Sequence, residues 1–202
     1  FITKIDEIVA GYQKLIAETK GLDASFIAFE KKDSEEFRKS CVARYNKTTN
    51  LKKHQEEILP KGKVSPKFFN YENFDGSKSS LDDFKGKFVY IDLWATWCGP
   101  CKKEIPFLKT VEKEFHNQNI VFVSISTDRV KDHDKWKKMV GDLQLTGVQL
   151  FANGDTSFEA AYEVSGIPRF ILIDPQGNIV DPNAPRPSDE GLKNWLKEAG
   201  VH

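Results

Sequence analysis

The chain has 202 residues, 39% of them apolar and 12% aromatic, which is enough for at least one buried core. Its 30 lysines and arginines are balanced by 30 aspartates and glutamates, so no net positive field exists to draw in nucleic acid or anionic lipid. No apolar run approaches the ~20 residues that span a bilayer and no signal-peptide core is present; three cysteines are too few for a disulfide-stapled scaffold.

Residues 1–60 are predicted to be helical and distinct from residues 61–202. Thr3 to Ile16 places Ile5, Ile8, Val9, Tyr12, Leu15 and Ile16 on one face, with Thr3 and Asp6 spaced as a variant capping box. Asp33 and Glu36 form a second candidate cap ahead of Phe37, Cys41, Val42 and Tyr45. A third segment, Leu51 to Leu59, ends before Pro60-Lys61-Gly62, which reads as a linker. Such helices cannot bury their apolar faces singly, so they are expected to pack on each other, on residues 61–202 or on a preceding portion of chain. Cys41, on an apolar helical face, reads as a buried inert thiol, with an intermolecular disulfide left open.

Further along, Lys87 to Trp94 is β-branched and aromatic, with the character of a buried strand. Lys102 to Phe115 reads as a helix, because Ile105, Leu108, Val111 and Phe115 share one face. A strand is expected at Ile120 to Ser126, a helix at Asp132 to Leu143, a short apolar run at Val148 to Phe151, a helix around Thr156 to Val164, and a strand at Arg169 to Asp174 leading into the turn Pro175-Gln176-Gly177-Asn178. Pro182, Pro185 and Pro187 stiffen the next loop, and Ser188 is a candidate cap for a helix from Asp189 to Ala199 that Gly200 ends. Trp94, by strand alternation, and Trp136 and Trp195, on amphipathic helices, read as core.

Trp97-Cys98-Gly99-Pro100-Cys101 sits at the junction of the Lys87 strand and the helix after it. Two cysteines three apart at a helix start can cycle between dithiol and disulfide. There the unpaired N–H groups and the positive end of the helix dipole favour a thiolate at Cys98, lowering its pKa from the usual value of about 8.5. Zinc is disfavoured: a tetrahedral site needs four ligands, and beyond this pair there are only Cys41 and the scattered His54, His116, His133 and His202. A purely structural bridge is also disfavoured, since closing so short a loop removes little chain entropy from the unfolded state.

The segment from Lys87 to Pro106 resembles the active-site region of the thioredoxin superfamily, with Pro106 where that family kinks its helix. Gly166-Ile167-Pro168, followed by the Arg169 strand and its turn, resembles the family's cis-proline loop. Ser65-Pro66-Lys67-Phe68-Phe69, Asp75-Gly76 and Leu81 to Lys87 are similar to the opening of the TlpA/ResA group and of peroxiredoxins, an AhpC/TSA- or Redoxin-type domain in which a short hairpin precedes the first core strand. The roughly forty residues between the Ile120 strand and Pro168 are similar to the insertion of the TlpA/ResA group. Peroxiredoxins carry a lone peroxidatic cysteine where this chain has a pair.

The resemblance implies an α/β fold, a thioredoxin-like three-layer α/β/α sandwich with a central insertion, preceded by a helical segment for which the group's pattern offers the remainder of a larger N-terminal domain as one reading. It implies a thiol-disulfide oxidoreductase cycling Cys98 and Cys101, with no cofactor. Trp97, Gly99, Pro100, Ile167 and Pro168 would line the substrate site, Pro168 in the cis form. Asp92, six residues before Cys98, stands where thioredoxins bury an aspartate; such a carboxyl has a raised pKa and could take the proton of Cys101. Asp128 falls where ResA-like proteins carry an acid near the site, or equally is the cap of the following helix. The Gly99-Pro100 dipeptide favours a reductant near thioredoxin's roughly −270 mV. The expected partners are a disulfide-containing protein and an upstream thiol electron donor. The resemblance also implies a periplasmic or cell-envelope location, with membrane association only through an N-terminal anchor outside this chain if at all; the start at Phe1 rather than methionine means that the lack of a targeting signal here does not exclude secretion. The group's usual role, reduction of extracytoplasmic disulfides including those of apocytochromes, implies a place in cytochrome c maturation. A redox-silent adaptor using the Trp97 and Pro168 surface, or a thiol peroxidase, remain the alternatives.

Overall fold

The computed structural model describes the backbone of residues 1–202 and all side chains except those of Leu51, Lys52 and Gln55. The chain divides into two compact units, Phe1–Ile58 and Leu59–His202.

The first unit is an antiparallel pair of helices, α1 (Ile2–Glu18) and α2 (Ala24–Ile58). Arg38 pairs with Asp6, Gln13 Nε2 donates to Ser34 Oγ at 2.9 Å, and Phe1 stacks on Tyr45 with ring centroids 4.8 Å apart. Three sequence expectations are corrected here. Thr3 and Asp6 cap nothing, because α1 already starts at Ile2 with no side-chain cap. Asp33 lies in the middle of α2; the carboxylate that caps this helix is that of Asp23, which accepts from the N–H groups of Ser25 at 2.7 Å and Phe26 at 3.3 Å. The second and third predicted segments are one 35-residue helix, since no glycine or proline interrupts residues 24–58; the side chain of Leu51, where the third was expected to begin, lies outside the described residues. Of the apolar face predicted for α1, Val9 and Ile16 are buried while Ile8, Tyr12 and Leu15 are exposed. Cys41 is a free, half-buried thiol.

The second unit is built on a seven-stranded sheet ordered β2-β1-β5-β4-β3-β6-β7. A hairpin, β1 (Tyr71–Asn73) and β2 (Lys78–Ser79), precedes β3 (Phe88–Trp94). Then follow α3 (Gly99–Glu114), β4 (Ile120–Ser126), α4 (His133–Asp142), β5 (Val148–Phe151), α5 (Ser157–Ala161), β6 (Arg169–Ile173), β7 (Ile179–Asp181) and α6 (Leu192–Glu198). β3 runs parallel to β4, from Phe88 opposite Ile120 to Trp94 opposite Ser126, and antiparallel to β6. Every residue of β3 is buried, as a central strand covered on both faces requires.

Alternation along the strands separates two cores. Phe88 and Tyr90 of β3, Phe122 of β4, and Phe170 and Leu172 of β6 pack against Leu108, Val111 and Phe115 from α3 and its C-cap and Leu192 and Leu196 of α6. On the opposite face Val89, Ile91, Leu93, Val123, Ile125, Ile171 and Ile173 are equally buried. A sheet buried on both faces is the middle layer of three, the thioredoxin-like α/β/α arrangement. Pro60-Lys61-Gly62 is not a free tether: Gly62 N–H donates to Ile179 O at 2.8 Å, Ile179 N–H to Lys63 O at 2.8 Å, and Lys61 pairs with Asp181 at 3.4 Å. Ser188 does not cap the last helix, which begins at Leu192 without a side-chain cap; it donates its N–H and hydroxyl to the carboxylate of Glu104, each at 3.0 Å.

Candidate active site

The parallel step from β3 to β4 needs a crossover, and α3 supplies it, so the loop Ala95–Cys98 is delivered to the carboxyl end of the central strand. Helix α3 starts at Gly99, three residues earlier than its apolar period indicates, with Cys98 as N-cap and Pro100 in the first turn, where a missing N–H costs nothing. Cys98 Sγ accepts the backbone N–H of Cys101 at 3.1 Å. That bond and the helix dipole are the features that stabilise a Cys98 thiolate when the pair is reduced. Cys98 and Cys101 are joined in a disulfide, with Cα atoms 5.3 Å apart. The helix continues past Pro106 without stopping, and Thr110 donates its hydroxyl to the Pro106 carbonyl at 3.0 Å.

Both cysteines are buried, in one cluster with Trp94, Ala95, Trp136, Val140 and Phe151; Ile167 packs against its edge. Trp94 and Trp136 are core residues as expected, but the core they form is the floor of the site. What reaches solvent is Trp97, 68% exposed, together with Gly99 and Pro100. The Ile167–Pro168 peptide bond is cis, and Ile167 O lies 3.8 Å from Cys98 Sγ. In the disulfide that sulfur has no proton to donate; the reduced thiol can donate to the same carbonyl. Residues 69 positions apart in the chain thus meet at one surface because β6, which follows Pro168, pairs antiparallel with β3.

Asp92 lies in the middle of β3, opposite Ser124 on β4 and Phe170 on β6. It is buried, and desolvation raises its pKa to about 8, with the carboxylates of Glu112 and Glu104 pushing the same way and a hydrogen bond to Ser124 opposing. It lines a cavity of about 10 Å³ with Trp94, Ile105, Glu112, Ser124 and Gln149. Glu112 Oε1 and Gln149 Oε1 are buried in this region with no hydrogen-bond partner, and burial raises the Glu112 pKa as well. No direct hydrogen bond joins Asp92 to Cys101.

Asp128 is buried and caps no helix: the short 3₁₀ turn Val130–Asp132 has Arg129 at its start, without a side-chain bond. Its carboxylate accepts the N–H of Thr96 at 2.9 Å, the Thr96 hydroxyl at 2.8 Å and the Ser126 hydroxyl at 2.8 Å. The acid therefore ties the cysteine-bearing loop to the end of β4. Glu104, which sequence reasoning passed over, is a buried carboxylate one turn beyond Cys101 that fastens α3 to the loop at Ser188. Its polar position on the apolar side of α3 was the available signal.

A family model described as the AhpC/TSA family matches residues 62–181. The chain belongs to the AhpC/TSA family. It is 34% identical over 129 residues to the thiol-disulfide oxidoreductase ResA of Bacillus subtilis (strain 168), covering 62% of this chain and 68% of that protein. Among solved structures, the thioredoxin domain of a thiol-disulfide oxidoreductase from Bacteroides vulgatus superposes with a TM-score of 0.62 at 30% identity, over 70% of this chain and 98% of that one. A thiol:disulfide interchange protein from a Bacteroides species gives 0.61 at 29% identity, over 69% and 90%. Within the family, then, this chain sits with the thiol-disulfide oxidoreductases, and the Cys98–Cys101 pair occupies the position their chemistry uses.

Proposed function

We propose that this oxidoreductase works as a reductant of protein disulfides outside the cytoplasm, kept supplied with electrons by an upstream thiol donor. The observation that carries the reading is the Cys98–Cys101 disulfide at the start of α3, with the Cys98 sulfur beside both the Cys101 N–H and the carbonyl before Pro168. In the reduced enzyme the Cys98 thiolate attacks one sulfur of the substrate disulfide. The substrate S–S bond breaks, one substrate thiolate leaves, and a mixed disulfide with Cys98 forms. Cys101 loses its proton and attacks Cys98 Sγ, which releases the second substrate thiolate. The substrate gains two electrons, and the enzyme is left as the disulfide described above.

Asp92 is the proton acceptor for Cys101 in this scheme. Burial that raises the Asp92 pKa to about 8 makes it a stronger base than an ordinary carboxylate and so a better acceptor for a thiol proton. Trp97, Gly99, Pro100, Ile167 and Pro168 form the surface on which the substrate chain lies, and Asp128 is a positioning residue acting through Thr96. The commitment of the Thr96 hydroxyl to Asp128 and the intact cysteine pair weigh against the peroxidase and adaptor readings. The reductive direction rests on Gly99-Pro100. The extracytoplasmic setting and a contribution to cytochrome c maturation rest on the resemblance to the TlpA/ResA group. Residues 1–60 are proposed as part of a separate N-terminal domain.

Equilibration in defined thiol-disulfide buffers, read by alkylation and mass shift, tests this. A potential near roughly −270 mV supports the reductant, and one at or above about −180 mV turns the reading toward disulfide formation or isomerisation.

A further inference from the structure

Beside Trp97 the surface opens into a groove of about 1050 Å³ between the cysteine loop and α4. Its apolar patches are Trp97, Met139 and Leu143, of which Trp97 and Leu143 are exposed. Its charged lining is one-sided: five lysine or arginine side chains against the carboxylates of Asp132 and Asp142. Both carboxylates are already engaged, Asp132 by Lys135 and Asp142 by Lys138 at 2.8 Å. Lys102, Arg129 and Lys131 are exposed and, among the described residues, have no carboxylate partner. The same positive charges act on the groove's own acid. Asp132 is held below the usual carboxylate range, first by its bond to Lys135 and further by the charges of Lys131 and Arg129. On a chain whose charges balance overall, 30 against 30, this is a local excess placed beside the residue that precedes the attacking cysteine.

We propose that the groove seats an acidic segment of the substrate polypeptide flanking its disulfide. The segment's carboxylates would meet Lys102, Arg129 and Lys131, and its apolar side chains would lie on Trp97, Met139 and Leu143. The inference rests on the disulfide-reductase reading and adds to it a substrate class. An extended nucleic acid or a lipid surface fits less well: the cations line a concave groove with an apolar floor, not a broad face, and the chain has no net positive charge to hold a polyanion. Complementary charge at such a site acts mainly on encounter, so its effect falls as salt screens it.

The test compares two disulfide-bridged peptides that differ only in carrying Asp and Glu, or Asn and Gln, on the segment flanking the cysteines. The ratio of their kcat/KM values is measured at low and high ionic strength for the native chain and for Arg129→Glu/Lys131→Glu. The acidic peptide is expected to be favoured by about tenfold or more at low salt, with the ratio falling toward one at high salt and at or below one in the double variant. Any general effect of the substitutions on thiol reactivity acts on both peptides and cancels in the ratio. A ratio near one in the native chain at low salt overturns the proposal, and so does stronger inhibition by a short oligonucleotide than by an acidic peptide of equal charge. Reduction of an uncharged small disulfide by the native chain, run alongside, separates the two readings: if it proceeds while the peptide ratio is flat, only the groove's role falls, and if it fails the reductase reading falls with it.

Discussion

The carboxylate of Asp128 holds Thr96 twice, by its backbone N–H at 2.9 Å and by its hydroxyl at 2.8 Å. Thr96 is two residues from Cys98, so the acid at the end of β4 sets where the redox loop leaves β3. Because Ser126 also donates to it at 2.8 Å, a buried charge is satisfied by three donors, as burial demands.

Asp128→Ala leaves those donors without their acceptor in a site closed to water. The expected loss is about 2–4 kcal/mol, seen as a thermal midpoint lower by roughly 5–15 °C, with slower disulfide reduction at unchanged cysteine content. A loss below about 0.5 kcal/mol would show that the loop is held by other contacts.

Asp92 gives a pH signature of defined sign. Its folded pKa of about 8 lies above the ordinary carboxylate value of 3.8, so between those values the native state holds a proton that the unfolded chain has released, and stability falls as pH rises through the window. Asp92→Asn removes that penalty. At about 1.4 kcal/mol per unit of displacement, with local relaxation absorbing part, the variant is expected to be more stable by about 3 kcal/mol at pH 8 and by little below pH 4. Denaturant titrations at several pH values measure this. In the same variant the resolution step slows, which single-turnover release of the mixed disulfide reports.

Gly147 precedes β5 with φ +70°, and a Cβ there would stand 2.7 Å from Glu112 Oε1 and 2.9 Å from the Phe122 carbonyl. Gly147→Ala is expected to cost about 2–4 kcal/mol, from the left-handed backbone and the overlap with a fixed carbonyl together. Urea unfolding that shows a change under about 1 kcal/mol would contradict the close approach.

Cys101→Ser removes the resolving thiol and leaves the attacking one. It should accumulate a one-to-one mixed disulfide with a substrate peptide through Cys98, visible as a mass increase that dithiothreitol reverses. Cys98→Ser should accumulate far less, because Cys101 lies inside α3, whereas the Cys98 sulfur at the N-cap receives the Cys101 N–H and lies beside the Ile167 carbonyl. Equal trapping by the two variants would reverse the roles of the cysteines.

Much of the site's skeleton was legible because it is written locally. Strand β4 occupies the expected Ile120–Ser126, and β3 begins within one residue of its predicted start, since β-branched and aromatic runs carry their own signal. Helix ends were less legible. Helix α3 starts at Gly99 because Cys98 and Pro100 form its cap and first turn, and neither is apolar enough to register in a helical period. Ser188 looked like a cap because capping chemistry is local, yet its donors turn to Glu104, 84 residues earlier in the chain.

By itself the sequence determined the elements around the redox pair, the cysteines' place at a helix start, and the kinship that names their chemistry, all of which depend on neighbours within a few residues. Only the tertiary structure decided what surrounds that pair. It brought Ile167 to Cys98 and Asp128 to Thr96, set Trp94 and Trp136 beneath the disulfide, and closed Glu104 and Glu112 around Asp92. Desolvation and charge coupling act through space, and sheet pairing chooses which distant residues share that space.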